Sequence, residues 1–162
     1  MYNSNMRSNK KTGAALVEVV VVASIVTLLT VAITGVINQT VVVNDLALRN
    51  TQAGYILEEG AEAVKIIRDN SWSNITGLTA GTNYYLGYSS GVWSLSATPS
   101  TVDTRFTRII VISAVNRDGN DDIASSGTND TGTKKVTVTV SWLSAGNTVT
   151  KTLAFYVSDI LS

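Results

Sequence analysis

Histidine and cysteine are both absent from the 162 residues. Their absence excludes imidazole and thiolate catalysis, metal centres built on those ligands, and any disulfide framework. Charge is scarce as well: 15% of the residues carry one, against about 25% in an ordinary soluble domain. Lys+Arg and Asp+Glu stand at 12 each, a balance that argues against a chain built mainly to bind nucleic acid. The balance hides an asymmetry, because Arg7, Lys10 and Lys11 all fall in the first 13 residues with no acid among them. The length suits one domain, or a modest domain with an appendage. Val and Thr together supply 42 residues, a β-branched excess that favours strands. Low charge beside so much apolar residue predicts that part of the chain is buried in lipid or in an assembly.

That part is easily located. Val19 to Asn44 is a stretch of 26 residues without a charge, densest from Val19 to Ile37. As a helix the dense part measures roughly 28 Å, about one hydrocarbon core. The basic residues before it predict a cytoplasmic N-terminus, with everything after Asn44 on the far side. The run exceeds a signal peptide's apolar region, and no small-x-small cleavage site closes it, so an anchor is the better reading. Glu18 stands at the head of this run. An acid within a membrane helix is costly, up to roughly 2.5–3.5 kcal/mol at the bilayer centre, and is a functional candidate unless it merely marks the interface.

Lys10-Lys11-Thr12-Gly13 followed by Ala14-Ala15-Leu16-Val17-Glu18-Val19 resembles the class III leader junction of type IV prepilins and type II secretion pseudopilins. The resemblance implies a basic leader, Met1 or Met6 to Gly13, that a dedicated membrane aspartyl peptidase removes by cutting between Gly13 and Ala14. It implies N-methylation of Ala14 and an assembly role for Glu18, the fifth mature residue. It also implies partners: other pilin subunits, the prepilin peptidase, an inner-membrane assembly platform, and membrane lipid before assembly. The chain departs from the family at Ala14, where Phe or Met is usual, and at Gly35, where many major pilins carry a kinking proline.

Beyond the apolar run the pattern stays helical. Ile56, Gly60, Ala63, Val64 and Ile67 make one face from Ala53 onward, and Glu58, Glu59, Glu62, Lys65 and Asp69 cover the rest. Glu62–Lys65 and Lys65–Asp69 are spaced to pair. Gly60 costs the helix about 1 kcal/mol against alanine, which predicts a close approach to a sheet there. The helix is expected to stop near Asn70-Ser71. The period then changes to two. A hairpin is expected around Ser89-Ser90-Gly91, a strand buried on both faces from Phe106 to Asn116, a strand through Val136, Val138, Val140 and Trp142, and its return from Thr148 to Val157. The expected fold is α+β: a long N-terminal helix packed on a mostly antiparallel four-stranded sheet, with residues 1–13 as leader, 14–43 as the transmembrane and assembly half, and 44–162 as an extracytoplasmic head. Phe106 to Val157 is similar to the sheet of minor pseudopilin I and PilV-like proteins.

Other candidates are weaker. Asp118, Asn120, Asp121 and Asp122 crowd oxygen donors into the loop Arg117–Thr133, the ligand type that Ca²⁺ takes, although the spacing is not that of an EF-hand and a solvated turn is the simpler account. Otherwise no cofactor is expected. Trp72, Trp93 and Trp142 with Tyr84, Tyr85 and Tyr88 suit either a core or a sugar-stacking surface, Trp142 being in phase with the core valines. Arg105 and Arg108 are too few for a nucleic-acid groove. No spacing singles out a catalytic pair, so the chain is not expected to be an enzyme. The resulting expectation is a structural subunit of a type IV pilus or secretion filament, in a minor, priming or tip role. It would wait in the cytoplasmic membrane before entering an extracytoplasmic filament. The alternatives are a major pilin, or a membrane-anchored extracellular binding domain that does not assemble.

Overall fold

A computed structural model describes residues 5–160, with side chains from Gly13 onward. The chain divides into two compact units, residues 1–47 and 48–162. Helix α1 (Asn5–Asn70) supplies all the described structure of the first unit and opens the second. A short helix α2 (Ser73–Thr76) follows, and then seven strands: β1 (Asn83–Ser89), β2 (Val92–Ser96), β3 (Thr101–Val102), β4 (Phe106–Arg117), β5 (Ile123–Ala124), β6 (Thr128–Ser144) and β7 (Asn147–Ser158). The fold is α+β, and every strand pairing in it is antiparallel.

The sheet holds seven strands, not four, in the order β2-β1-β4-β6-β7 with β3 and β5 paired to β4. The cause is the length of β4. Its 12 residues lie along β6 on one edge, and no single partner is long enough to fill the other. Three short segments share that edge: β3 at Phe106–Thr107, β1 at Ile110–Val111 and β5 at Asn116–Arg117. Two hairpins close on two-residue turns, Ser90-Gly91 and Ala145-Gly146, with φ of 52° and 82°, and of 48° and 79°. Both central residues left-handed is the turn whose twist matches antiparallel strands, and glycine takes the second place without strain.

Much of the expected loop Arg117–Thr133 is also strand. Thr128, Asn129 and Asp130 pair with Arg117, Asn116 and Val115, and the ladder then skips Thr131, Gly132 and Thr133 before resuming at Ala114–Lys134. Nor is β4 buried on both faces. Phe106, Arg108, Ile110 and Ile112 are buried, whereas Ile109 and Val111 are half-buried on the opposite face.

The core lies between this sheet and the second half of α1. Ala53, Ile56, Leu57, Val64 and Ile67 meet Phe106, Ile110, Ile112, Val136, Val138, Val140, Trp142 and Val157. Phe106 and Trp142 are cross-strand partners with ring centroids 5.8 Å apart. Gly60 is buried on the same helix face, and a β-carbon there would stand 2.9 Å from Val138 Cγ1 and 3.0 Å from Arg108 Cδ. Gly54, one turn and a half earlier, has open space at the equivalent point.

The two glycines predict opposite outcomes. In a fragment beginning at Arg49, expected to fold without reductant, metal or cofactor, Gly60→Val should cost about 1–3 kcal/mol through overpacking. Gly54→Ala should gain about 0.5–1 kcal/mol from helix propensity. Denaturant unfolding followed by circular dichroism measures both; equal effects of one sign would show that the close approach at Gly60 is not what its side chain is missing for.

Candidate functional site

In the first unit, every described side chain from Gly13 to Ala47 is exposed, including Leu16, Ile25, Leu28, Leu29, Ile33 and Ile37. α1 is long and apolar enough from Gly13 onward to cross a membrane, as an anchor or a signal sequence would be. An apolar surface of this extent lies well beyond the roughly 300–600 Å² that soluble monomers leave uncovered. The hydroxyl side chains on it are neutralised from within. Ser24, Thr27, Thr30, Thr34 and Thr40 each donate their hydroxyl to the carbonyl four residues back, at 2.7–2.9 Å. In hydrocarbon, where water cannot satisfy a hydroxyl, this local bond removes most of its cost.

Gly13, Ala14 and Glu18 lie on continuous helix at the start of this surface. The spacing of Ala14 and Glu18 is one turn, which puts both on one face. A β-carbon on Gly13 would meet nothing within 4 Å, so no other described part of the chain covers the junction. The side chains of Arg7, Lys10 and Lys11 lie outside the described residues.

The acidic turn is held by its own backbone. Asp118 Oδ1 accepts from the amides of Asn120 (2.8 Å) and Asp122 (3.1 Å), and the Asp118 amide donates to the Asp122 carbonyl (2.9 Å). Asp121 adopts φ of 66°, with Oδ1 3.6 Å from Arg117 Nε. Asp118, Asn120, Asp121 and Asp122 therefore share one turn, in which Asp118 directs an oxygen to backbone amides and Asp121 directs one towards a guanidinium. Among the described residues no three acidic side chains converge as a metal ion would need.

Arg117 is the centre of that region. Its Nε donates to Asp130 Oδ2 at 2.7 Å and its Nη1 to the Asp121 carbonyl at 2.7 Å, with Thr133 Oγ1 3.4 Å from Nη2. The hydrogen bond from Arg117, then that with Thr133, holds the Asp130 carboxyl down at about 2, against an ordinary 3.8. The Arg117 pKa is raised, chiefly by the same bond to Asp130.

Arg108, weighed only as a surface cation in the sequence, is 5% exposed beneath α1. Its Nη1 donates to the Ile56 carbonyl at 3.2 Å and pairs with Glu59 at 3.3 Å, while Nε is buried without a partner. The signal for it was its phase: Arg108 alternates with Phe106, Ile110 and Ile112. Glu62–Lys65 forms at 2.7 Å, whereas Asp69 pairs with Arg68 at 2.6 Å. Trp142 is core at 4% exposure; Trp93 is half-buried and meets the Tyr88 ring at a 50° tilt, with centroids 4.8 Å apart.

No family model, no curated protein and no solved structure matches this chain.

The Arg117–Asp130 pair predicts an acid limb of stability. Because the Asp130 pKa is depressed on folding, its contribution is complete above the ordinary value and is lost as pH falls from about 4 towards 2. Asp130→Asn should flatten the pH dependence of unfolding over that window and lower stability near neutrality. An unchanged slope below about pH 4 would show that the pair does not couple to folding.

Proposed function

We propose that this chain is a structural subunit of a type IV pilus or type II secretion-like filament, in a minor, priming or tip role. The observation that carries the reading is α1 itself. One unbroken helix joins a segment whose apolar side chains find no cover within the chain to a segment whose apolar face is docked on an antiparallel sheet. The first half must be covered from outside, by lipid and then by the same segment of other copies. The leader-like junction at Gly13–Ala14 and the acid at Glu18 support the filament over a permanent anchor.

The chemistry follows from charge in a medium that tolerates little of it. In the precursor, Arg7, Lys10 and Lys11 hold the N-terminus in the cytoplasm. Cleavage after Gly13 by the prepilin peptidase removes those charges and frees the Ala14 amine, which the peptidase then methylates. The new cation at the edge of the bilayer is costly unless paired. Glu18 is the nearest carboxylate in the sequence. Between neighbouring subunits staggered in a filament, the Glu18 carboxylate of one meets the Ala14 amine of the next, which neutralises both and fixes their axial register. Ala15, Ala23 and Ala32 let the helices come close.

Two measurements test this. Mass spectrometry of the mature N-terminus should find Ala14 first; a protein that keeps Lys11 in the membrane would leave a plain anchored domain as the better account. Glu18→Val should still be cleaved and accumulate in the membrane, since a more apolar span inserts at least as well, but should be depleted in sheared filaments by roughly ten-fold or more, the effect of losing about 1.4 kcal/mol. Wild-type incorporation would reduce Glu18 to an interface residue.

A further inference from the structure

Within the head a groove of about 360 Å³ opens between the C-terminal turn of α1 and the edge strand β2. The β1–β2 hairpin makes it. Only Asn83 and Tyr84 of β1 pair with β4, so from Tyr85 onward the hairpin leaves the main sheet and pairs only with itself. Its inner face, Leu86 and Tyr88 beside Leu95 and Trp93, leans over the end of the helix. Ile67, Leu78 and Leu95 supply apolar lining, Trp93 an aromatic wall, and Asn70 and Asn74 the amides.

Three properties narrow the occupant. First, no ionisable side chain lines the groove, so a carboxylate, a phosphate or a cation would find no countercharge there. Second, the polar side chains are the amides of Asn70 and Asn74 and the hydroxyl of Ser94, groups that donate and accept at once and so match hydroxyl groups that do the same. Asn74 commits Nδ2 to the Ile67 carbonyl at 3.2 Å, which leaves its oxygen as an acceptor; Asn70 is exposed. Third, Trp93 is braced from within: it packs against the core and meets the Tyr88 ring at a 50° tilt, with centroids 4.8 Å apart. A rigid aromatic wall with amides beside it is the pairing that a pyranose ring needs, with C–H groups on one face and hydroxyls around its rim.

We infer that this groove binds a neutral sugar, one pyranose ring lying against Trp93 with its hydroxyls on Asn70 and Asn74. The inference does not depend on filament assembly, since the groove is built wholly within the head. A site of this size and openness holds such a ligand weakly, in the millimolar range, and gains useful strength only where several copies face a glycan-bearing surface.

The test uses the full chain in lipid nanodiscs, because alkyl-glycoside detergents would themselves present the ligand. Saturation-transfer NMR with glucose, galactose and N-acetylglucosamine should show transfer to at least one of them at millimolar concentration, with glucuronate weaker by about five-fold or more. Asn70→Ala, an exposed position whose loss does not threaten folding, should weaken the best sugar by about five-fold, as one lost hydrogen bond would. Trp93→Leu should abolish transfer while the near-ultraviolet signal of buried Trp142 persists. No transfer from any neutral hexose, or transfer unchanged in Asn70→Ala, overturns the proposal. So does tighter binding of an uncharged peptide than of every sugar, which would make the groove a peptide site.

Discussion

At Gly60 the backbone of α1 comes so near the side chains of the sheet that even a β-carbon would press on Val138 and Arg108, and the packing of the head follows from that contact. The helix must descend far enough for Ile56, Leu57, Val64 and Ile67 to reach the valines of β6. A side chain at position 60 would prop it away by pressing on Val138 and Arg108. Arg108 then has nowhere to go but sideways beneath the helix. Its guanidinium finds the Ile56 carbonyl and the Glu59 carboxylate at the helix surface, while Nε stays dry and unpaired. A buried cation of this kind is a poor source of net stability, since desolvation consumes most of what the pair returns. What it does supply is position. The guanidinium fits only when Ile56 and Glu59 stand over β4, which locks the helix against sliding by a turn along the sheet.

The helix and the two long hairpin strands were readable because each announces itself locally. A 3.6-residue apolar period with Gly60 in phase specifies a docked helix, and Val-Thr alternation through Val136–Trp142 specifies a strand with one wet face. The strand count was not readable for the opposite reason. β3 and β5 are two residues each, and they are strands only because the unfilled edge of β4 gives their backbone something to bond. Asp, Asn and Gly in 118–132 favour turns by composition, yet Thr128–Asp130 joins the ladder, since pairing with β4 overrides a weak intrinsic preference. Arg117 reaching Asp130 across that ladder ties the two ends of the excursion together.

A similar division separates the candidate sites. Glu18 stands out from charge and hydropathy alone, and Gly13 and Ala14 only through the resemblance of their junction to a prepilin leader; in both cases the setting is the local sequence. The hairpin groove does not. Trp93 and Asn70 come from different elements, and nothing in either segment foretells that β1 leaves β4 after Tyr84. Aromatic content raised the prospect of a sugar surface but placed it among six residues, of which Trp142 and Tyr84 turn out to be core. The Tyr84 hydroxyl accepts from the Thr79 amide at 2.9 Å, which pins the connection into β1.

The two halves of α1 solve the same problem by different means, and the difference bears on how the chain can be used. Every helix must dispose of its apolar side chains and of any hydroxyl carried with them. The second half does so within the head, with glutamates outward and aliphatics on the sheet. The first half satisfies its hydroxyls against its own carbonyls and leaves its aliphatic surface bare. With its hydroxyls already bonded, the aliphatic stretch from Val19 to Ile37 needs no particular hydrogen-bonding partner and can meet lipid or another helix about equally well. Transfer from one to the other then involves little change in solvation energy, and direction must come from a feature that lipid cannot satisfy. Within the charge-free stretch and its head that feature is the carboxylate of Glu18, and under the filament reading proposed above its demand for a cation is what would distinguish a neighbouring helix from the bilayer.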